Sequence, residues 1–297
     1  MRKLIIIAMA ISFLMAGNGK ISGYTFFDYS WSDDENSFEI HRSYFGYKKD
    51  LSEKLSYELK LDVGRESLFQ SDETTKESRL FVYVKYAKVD WKTNHGKLTF
   101  GMQGMNVFNI QEKTWGYRFV EKSAMDFNKW ASSADLGIGW SKSFSDFHAS
   151  MLVTNGNGYK KAEEDESKKH SFQLVYGEKK LSKNDGFNLG GIYVFEELSE
   201  DKLFGVFGGY AGNGLRIGGE FGQLGTTRLM SFYGNYNVLD KFEIFCRFDS
   251  GDLDNDKTSY AIAGLSYALE KGLTIAPNIR FSDNQFAEMK VNFLFKF

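Results

Sequence analysis

Seven charged side chains of both signs fall within the 25 residues from 109 to 133: Glu112, Lys113, Arg118, Glu121, Lys122, Asp126 and Lys129. No two-residue period runs through them, and a connection of this length in a compact fold is usually functional. Charges of opposite sign held across a narrow aqueous path act on a passing ion as a transverse field, which sorts by size, charge and dipole. On an open surface the same charges would only be solvated. Nucleophilic or acid–base chemistry has thinner support. The four histidines, His41, His95, His148 and His170, are scattered. Only His148 and Ser150 share a face of one alternating segment, and two residues of one strand make no relay without a supporting acid. The acidic AEEDES lacks the spacing of a calcium loop. No metal site and no cofactor are expected.

The elements that must position residues 109–133 read as strands. Apolar and polar residues alternate with period two over 20–31, 37–49, 55–66, 79–92, 97–108, 134–144, 147–156, 169–181, 187–198, 202–212, 215–225, 228–238, 241–251, 258–269, 273–283 and 286–297. Each is about the ~9–11 residues that a tilted strand needs to cross a bilayer. In 273–283, Leu273, Ile275, Ile279 and Phe281 oppose Thr274, Asn278, Arg280 and Ser282. In 241–251, Phe242, Ile244, Cys246 and Phe248 oppose Glu243, Arg247 and Asp249. The polar face carries charges and amides, as a water-filled lumen requires, and the other face suits lipid. On this parity His41 is expected at the lipid face or its rim. Tyr47, Trp91, Trp140, Tyr176 and Tyr267 sit near strand ends, where interfacial girdles form.

Connections alternate in length. DLSEK, TNHG, SD, SKNDG, GNG, LDK and LEKG are short, whereas the other side includes 68–78, 109–133 and the charged stretch near 157–169. Short periplasmic turns and long outer loops are the asymmetry of an outer-membrane barrel, and residues 109–133 are its third outer loop. Glycines at 137, 139, 205, 208, 209, 218, 219 and 222 mark bends, close approach of another backbone, or low packing demand on a lumen wall.

Compartment follows from the ends of the sequence. Arg2 and Lys3 precede LIIIAMAISFL, and small residues follow at Ala16, Gly17 and Gly19. This is the pattern of a secretory signal, too short for a spanning helix, with cleavage expected after Gly19. The mature chain, 20–297, is expected to form one all-β, sixteen-stranded antiparallel transmembrane barrel. Without Arg2 and Lys3 the chain holds 35 basic against 39 acidic residues, so nothing points to nucleic acid. A single cysteine, Cys246, excludes an intrachain disulfide framework. The 28 Phe, 16 Tyr, 30 Gly and single Pro suit many aromatic strands. At the C-terminus, Met289, Val291, Phe293, Phe295 and Phe297 alternate with polar residues, a strand that in water would be a sticky edge. The ending resembles the signal read by the barrel-assembly machinery.

A wider resemblance covers roughly residues 38–142. FEIHRSYFGYKKDLSEKLSYELKLDVG, VYVKYAKVDWK, KLTFGMQGMNVFNIQEKTWGYRFVEKSAMD and SSADLGIGW resemble the phosphate-selective porin O and P family. The resemblance implies a sixteen-stranded, often trimeric outer-membrane porin whose third outer loop folds into the lumen. It further implies passive diffusion of small hydrophilic solutes or ions, anions such as phosphate among them, along a ladder of basic lumen residues. Arg42, Lys60, Arg216, Arg247 and Arg280 have the inward parity such a pore wall needs, but Glu58, Asp62, Glu220 and Glu243 share it. Expected partners are outer-membrane lipid, the assembly machinery through Phe297, the solutes themselves and two further copies in a homotrimer. The competing classes are an outer-membrane barrel enzyme and a structural or adhesin barrel without transport.

Overall fold

The computed structural model describes residues 19–32, 36–65, 80–253 and 256–297. The proposed signal segment and the connection at 68–78 lie outside the described residues, apart from Gly19. Sixteen strands follow in order: β1 Lys20–Trp31, β2 Asn36–Asp50, β3 Leu55–Arg65, β4 Leu80–Thr93, β5 Gly96–Gly104, β6 Ala134–Phe144, β7 Phe147–Thr154 and β8 Lys169–Gly177. Then come β9 Gly186–Glu196, β10 Leu203–Gly212, β11 Leu215–Leu224, β12 Thr227–Leu239, β13 Phe242–Leu253, β14 Asp256–Glu270, β15 Leu273–Ser282 and β16 Gln285–Lys296. Each pairs antiparallel with its sequence neighbour, and β1 pairs with β16 from Tyr24↔Lys296 to Trp31↔Met289, so the barrel is closed. Closure leaves no unpaired edge, and the final strand is thereby protected.

The distribution of polarity is inverted relative to a protein folded in water. Asp28 and Asp62 are fully enclosed and Asn292 is 1% exposed, while Leu189, Phe232 and Phe38 are 63%, 60% and 72% exposed on the outer wall. A contiguous apolar exterior around a polar interior is stable only where the surrounding solvent is hydrocarbon. Inside, carboxylates are met by donors. Asp90 accepts from Thr99 Oγ1 at 2.6 Å and pairs with Lys88 and Lys97 at 3.0 and 3.3 Å. No helix among the described residues is long and apolar enough to cross a membrane.

Two predicted strands run too far. Residues 105–108 leave the wall after Gly104 and turn into the lumen, because Val107 and Phe108 are buried inside the barrel and not against lipid. Residues 178–181 leave after Gly177, and Leu181 is buried close to Thr114 of the connection between β5 and β6. Bulges correct the parity in two further places. Phe26 faces Arg42 and Phe27 faces Ile40, so His41 is an inserted residue. Its ring turns inward to place Nε2 2.5 Å from Asp28 Oδ2, which overturns the lipid-facing expectation. Likewise Lys60 faces Tyr86 and Leu61 faces Val84, which makes Lys85 an extra residue and turns both Lys85 and Tyr86 inward.

The chain end packs on its own beginning. Phe297 N–H donates to Gly23 O at 3.0 Å, and the Phe297 ring lies where a side chain on residue 23 would stand. Replacing Phe297 with Asp removes roughly 1.5–3 kcal/mol of apolar transfer and puts a charge beside the closing seam. The expected outcome is a sharp drop in heat-modifiable barrel in outer-membrane fractions with secretion intact; a normal yield of heat-modifiable band would refute this.

Candidate pore constriction

The chain between β5 and β6, residues 105–133, folds inside the barrel. Its neck is closed by Met105 N–H donating to Ser133 O at 3.2 Å. Asn106 donates to Ser150 Oγ at 2.9 Å and accepts from Ser171 Oγ at 2.7 Å, which ties the entering chain to β7 and β8. Two short helices follow, α1 Asn109–Trp115 and α2 Ala124–Phe127. Helix α1 stops at Gly116, whose φ of 77° favours glycine and whose missing side chain leaves room for the Arg216 guanidinium.

Between residues 115 and 122, four carbonyls of this inward chain are met by wall donors. Arg216 Nη2 donates to Trp115 O at 3.2 Å, Asn292 Nδ2 to Phe119 O at 3.4 Å, Arg280 Nη2 to Val120 O at 2.7 Å and Arg247 Nη1 to Lys122 O. One amide is met as well: Ala124 N–H donates to Glu220 Oε1 at 3.2 Å. Arg280 Nη1 also reaches Glu121 Oε2 at 2.9 Å, and Arg247 pairs with Asp249. Arg216, Arg247 and Arg280 therefore face inward, as their parity predicts, and all three are engaged by the segment; Arg280 also borders open space beside it. The physical reason is the fixed five-donor fork of arginine, which suits it to carbonyls that no helix or sheet satisfies.

Apolar contacts fix the same side. Trp115, 1% exposed, lies edge-on to Tyr233 and Phe245 with centroids 5.6 and 6.0 Å apart, and its Nε1 donates to Glu121 O at 3.0 Å. Val107, Phe108, Ile110 and Met125 join a cluster with Ile192, Val194, Leu203 and Phe207 of β9 and β10. Gly209 and Gly222 admit the segment, since a side chain there would meet Thr114 or Met125. The segment is thus held against the wall from β7 to β16, and space remains along β1 to β5.

That space consists of two adjoining cavities. One, of about 480 Å³, is lined by Tyr24, Tyr44, Lys60, Lys85, Tyr86, Glu112, Lys113 and Arg118 among others, and extends toward Lys296 at the end that carries the termini. The other, of about 280 Å³, lies toward the opposite end beside His41, Arg42, Lys122 and Lys290. Phe26, Arg118 and Phe119 line both, so the cavities meet there. Arg118 Nε is 2.8 Å from Glu112 and its Nη2 3.5 Å from Asp126, and Lys122 Nζ is 3.9 Å from Asp126. Lys129 adopts a left-handed backbone with φ of 59° at the end of α2 and lines neither cavity. Burial, with Asp126 alongside, raises the Glu112 carboxyl above the ordinary range in spite of Arg118. For Glu121 burial is outweighed by Arg280 and the Lys122 amide, and its pKa falls.

The structure adds residues that the sequence reading missed. Lys85 lies behind the β4 bulge. Tyr159, from the connection between β7 and β8, enters the lumen and donates to Asp62 Oδ2 at 2.5 Å. Asp62 also receives Arg42 at 3.2 Å and has Lys85 at 3.8 Å. The apolar residues on both faces of β9 and β10 were the signal for a covered lumen wall. His148 Nδ1 is 2.7 Å from Ser143 Oγ, while Ser150 is engaged by Asn106; no carboxylate completes a relay there among the described residues. No group of three or more His, Cys, Asp or Glu able to hold a metal occurs among them either.

Comparison with known proteins gives the fold a family. The family described as phosphate-selective porin O and P matches residues 21–184, more than half of the chain. The chain belongs to that family. It is an outer-membrane channel by family and fold. Among solved structures, OmpF of Salmonella typhi in complex with daunomycin superposes with a TM-score of 0.70 at 10% identity, covering 94% of this chain and 97% of that one. The trimer form of OmpT of Vibrio cholerae gives 0.64 at 12%, covering 95% and 100%. A mutant of the Rh. blastica porin gives 0.62 at 12%, covering 94% and 100%. At these identities the likeness concerns the fold. No curated protein matches the chain.

Two outcomes follow for the inward segment. Trp115→Ala removes its central apolar anchor, a change that costs ~3–5 kcal/mol in a packed core. Single-channel conductance is expected to become larger and noisier while the barrel remains heat-modifiable; a quiet channel of unchanged conductance would count against the anchor. Because burial raises the Glu112 pKa, this carboxylate is neutralised ahead of ordinary ones as pH falls. Low-salt reversal potentials should shift toward anions on acidification before ordinary carboxylates titrate, and Glu112→Gln should flatten that early part of the shift.

Proposed function

We propose that the channel passes small hydrophilic anions, oxyanions such as phosphate among them, along the wall formed by β1 to β5. The observation that carries this reading is Lys60. Its ammonium lies 5.4, 5.6 and 5.0 Å from the ring centroids of Tyr24, Tyr44 and Tyr86, donates to Tyr24 Oη at 3.4 Å, and has no carboxylate partner among the described residues. Lys85 donates in the same way to Tyr44 Oη at 3.3 Å. A phenol oxygen that accepts from an ammonium keeps its own proton to donate, so the pair of lysines and the pair of tyrosines together offer donors to an oxyanion.

The acids of the lumen are mostly committed elsewhere. Glu58 pairs with Lys88 at 3.2 Å, Glu243 accepts from Tyr117 and Asn235, and Glu121 is held by Arg280. Toward the terminal end the path opens on a cavity of about 530 Å³ lined by Lys92, Lys97, Lys113, Lys142, Lys179 and Lys180, with no carboxylate in its lining. Confined cations of this density concentrate anions at the entrance. Within this reading residues 1–19 are a cleaved export signal, Phe297 is read by the assembly machinery, and three copies assemble, as the trimer form of the Vibrio cholerae OmpT does.

Planar-bilayer measurements test the proposal. In a salt gradient at about 0.1 M, where the screening length is ~10 Å, the reversal potential should favour anions, and Lys60→Glu should move it toward cations. Shortening 109–133 should raise conductance. Cation preference in the wild type, or a Lys60→Glu channel indistinguishable from it, would overturn anion selectivity.

A further inference from the structure

The luminal cavity of about 480 Å³ beside β1 to β5 joins its cations to a wall of aromatic rings. Tyr24, Phe26, Tyr44, Tyr86, Phe108 and Phe119 all line it, with Leu294 from the last strand. The rings are continuous along the wall: Tyr24 lies 4.7 Å from Tyr44 and 5.3 Å from Phe26, centroid to centroid, and Phe26 lies 6.4 Å from Phe119 of the inward segment. Across the closing seam, Leu294 stands opposite Phe26 and Lys296 opposite Tyr24. Tyr24, Tyr86 and Leu294 are only half-buried, so apolar surface stays open to the cavity close to the Lys60 ammonium.

The polar groups of this lining are mostly donors. Tyr24 and Tyr44 Oη accept from Lys60 and Lys85, and Asn109 Oδ1 accepts from Gln173 Nε2 at 3.1 Å. Glu112, the one carboxylate in the lining, is held by Arg118 at 2.8 Å. A sugar or other polyol brings a proton on every hydroxyl and needs an acceptor for each, and here the acceptors are largely taken. A carboxylate brings acceptors alone. Inorganic phosphate would use the donors but leave the ring surface wet, whereas a cavity of this size and aromatic content suits a small organic ligand.

We infer that this cavity binds aromatic carboxylates during their passage. The carboxylate meets Lys60, Lys85 and the phenol protons of Tyr24 and Tyr44, and the ring of the solute packs on Tyr24 and Leu294. Aromatic pairs favour offset or edge-on contact, and the wall rings are themselves tilted to one another by 31° and 41°. The inference rests on the anion-conducting reading and narrows it to solutes with one charged and one apolar end.

Block of the chloride current in planar bilayers tests this, with benzoate, acetate, glucuronate and inorganic phosphate added one at a time. Benzoate should half-block at a concentration roughly tenfold below acetate, about what one aromatic contact is worth, and below glucuronate and phosphate as well. Tyr24→Leu should bring benzoate close to acetate, whereas Tyr24→Phe, which keeps the ring, should retain the preference. Lys60→Gln should weaken block by both acids. Heat-modifiability reports whether each variant is folded. Benzoate no better than acetate, glucuronate or phosphate as effective as benzoate, a preference that survives Tyr24→Leu, or unchanged benzoate block in Lys60→Gln would each overturn the inference. The two readings fail separately. A cation-preferring reversal potential would remove anion conduction itself, whereas an anion-preferring channel that treats benzoate as it treats acetate would remove this inference alone.

Discussion

A backbone that leaves the wall of a barrel takes its carbonyl groups with it, and inside the lumen no strand or long helix receives them. Buried peptide groups must be paired, so the wall has to supply donors where the chain crosses. Arg216, Arg247, Arg280 and Asn292 do so for four carbonyls between residues 115 and 122. The position of the inward segment, the side on which space remains, and the set of charges left facing water all depend on that arrangement.

Its electrostatic effect is to pair arginines with acids along the wall. Arg280 is shared by Glu121 and Glu288, and Arg247 by Asp249, in places with little water to screen them. Breaking one partner of such a group would leave a buried charge uncompensated, a far greater loss than that of a surface ion pair. What borders the larger cavity is mainly lysine and tyrosine with Glu112, and Arg118 stands at its junction with the smaller one, where Arg42, Glu121 and Arg280 follow. The aromatic residues of the inward segment add a second kind of hold, since Trp115 and Tyr117 pack on Phe245 while the arginines hold their neighbouring carbonyls.

Much of this architecture is legible in period-two alternation, because lipid on one side and water on the other force every spanning strand to alternate. Strands β1 and β6 end where the alternation ends. The errors arise where a local feature breaks the period without changing composition. A single inserted residue at His41 or Lys85 reverses facing for everything that precedes it, and no residue type marks the insertion. The overrun of β5 has another cause: Met105, Val107 and Phe108 are as apolar as a strand, but they are buried by the inward segment. Parity gave the direction of Arg216, Arg247 and Arg280 correctly. It could not tell a side chain that meets solvent from one that meets a carbonyl, since that depends on residues more than a hundred positions away.

The closed barrel also divides labour along the chain. Arg42, Lys60, Lys85 and the tyrosines that face the open route come from β1 to β4, whereas the three arginines and Asn292 that receive the inward carbonyls come from β11 to β16. A substitution in the first set changes groups that border the cavities and leaves the supports of the inward segment in place, and one at Arg216, Arg247 or Asn292 loosens a support without removing a group that borders them. Lining and buttress thus occupy different stretches of the sequence, and of the four supporting residues Arg280 alone belongs to both.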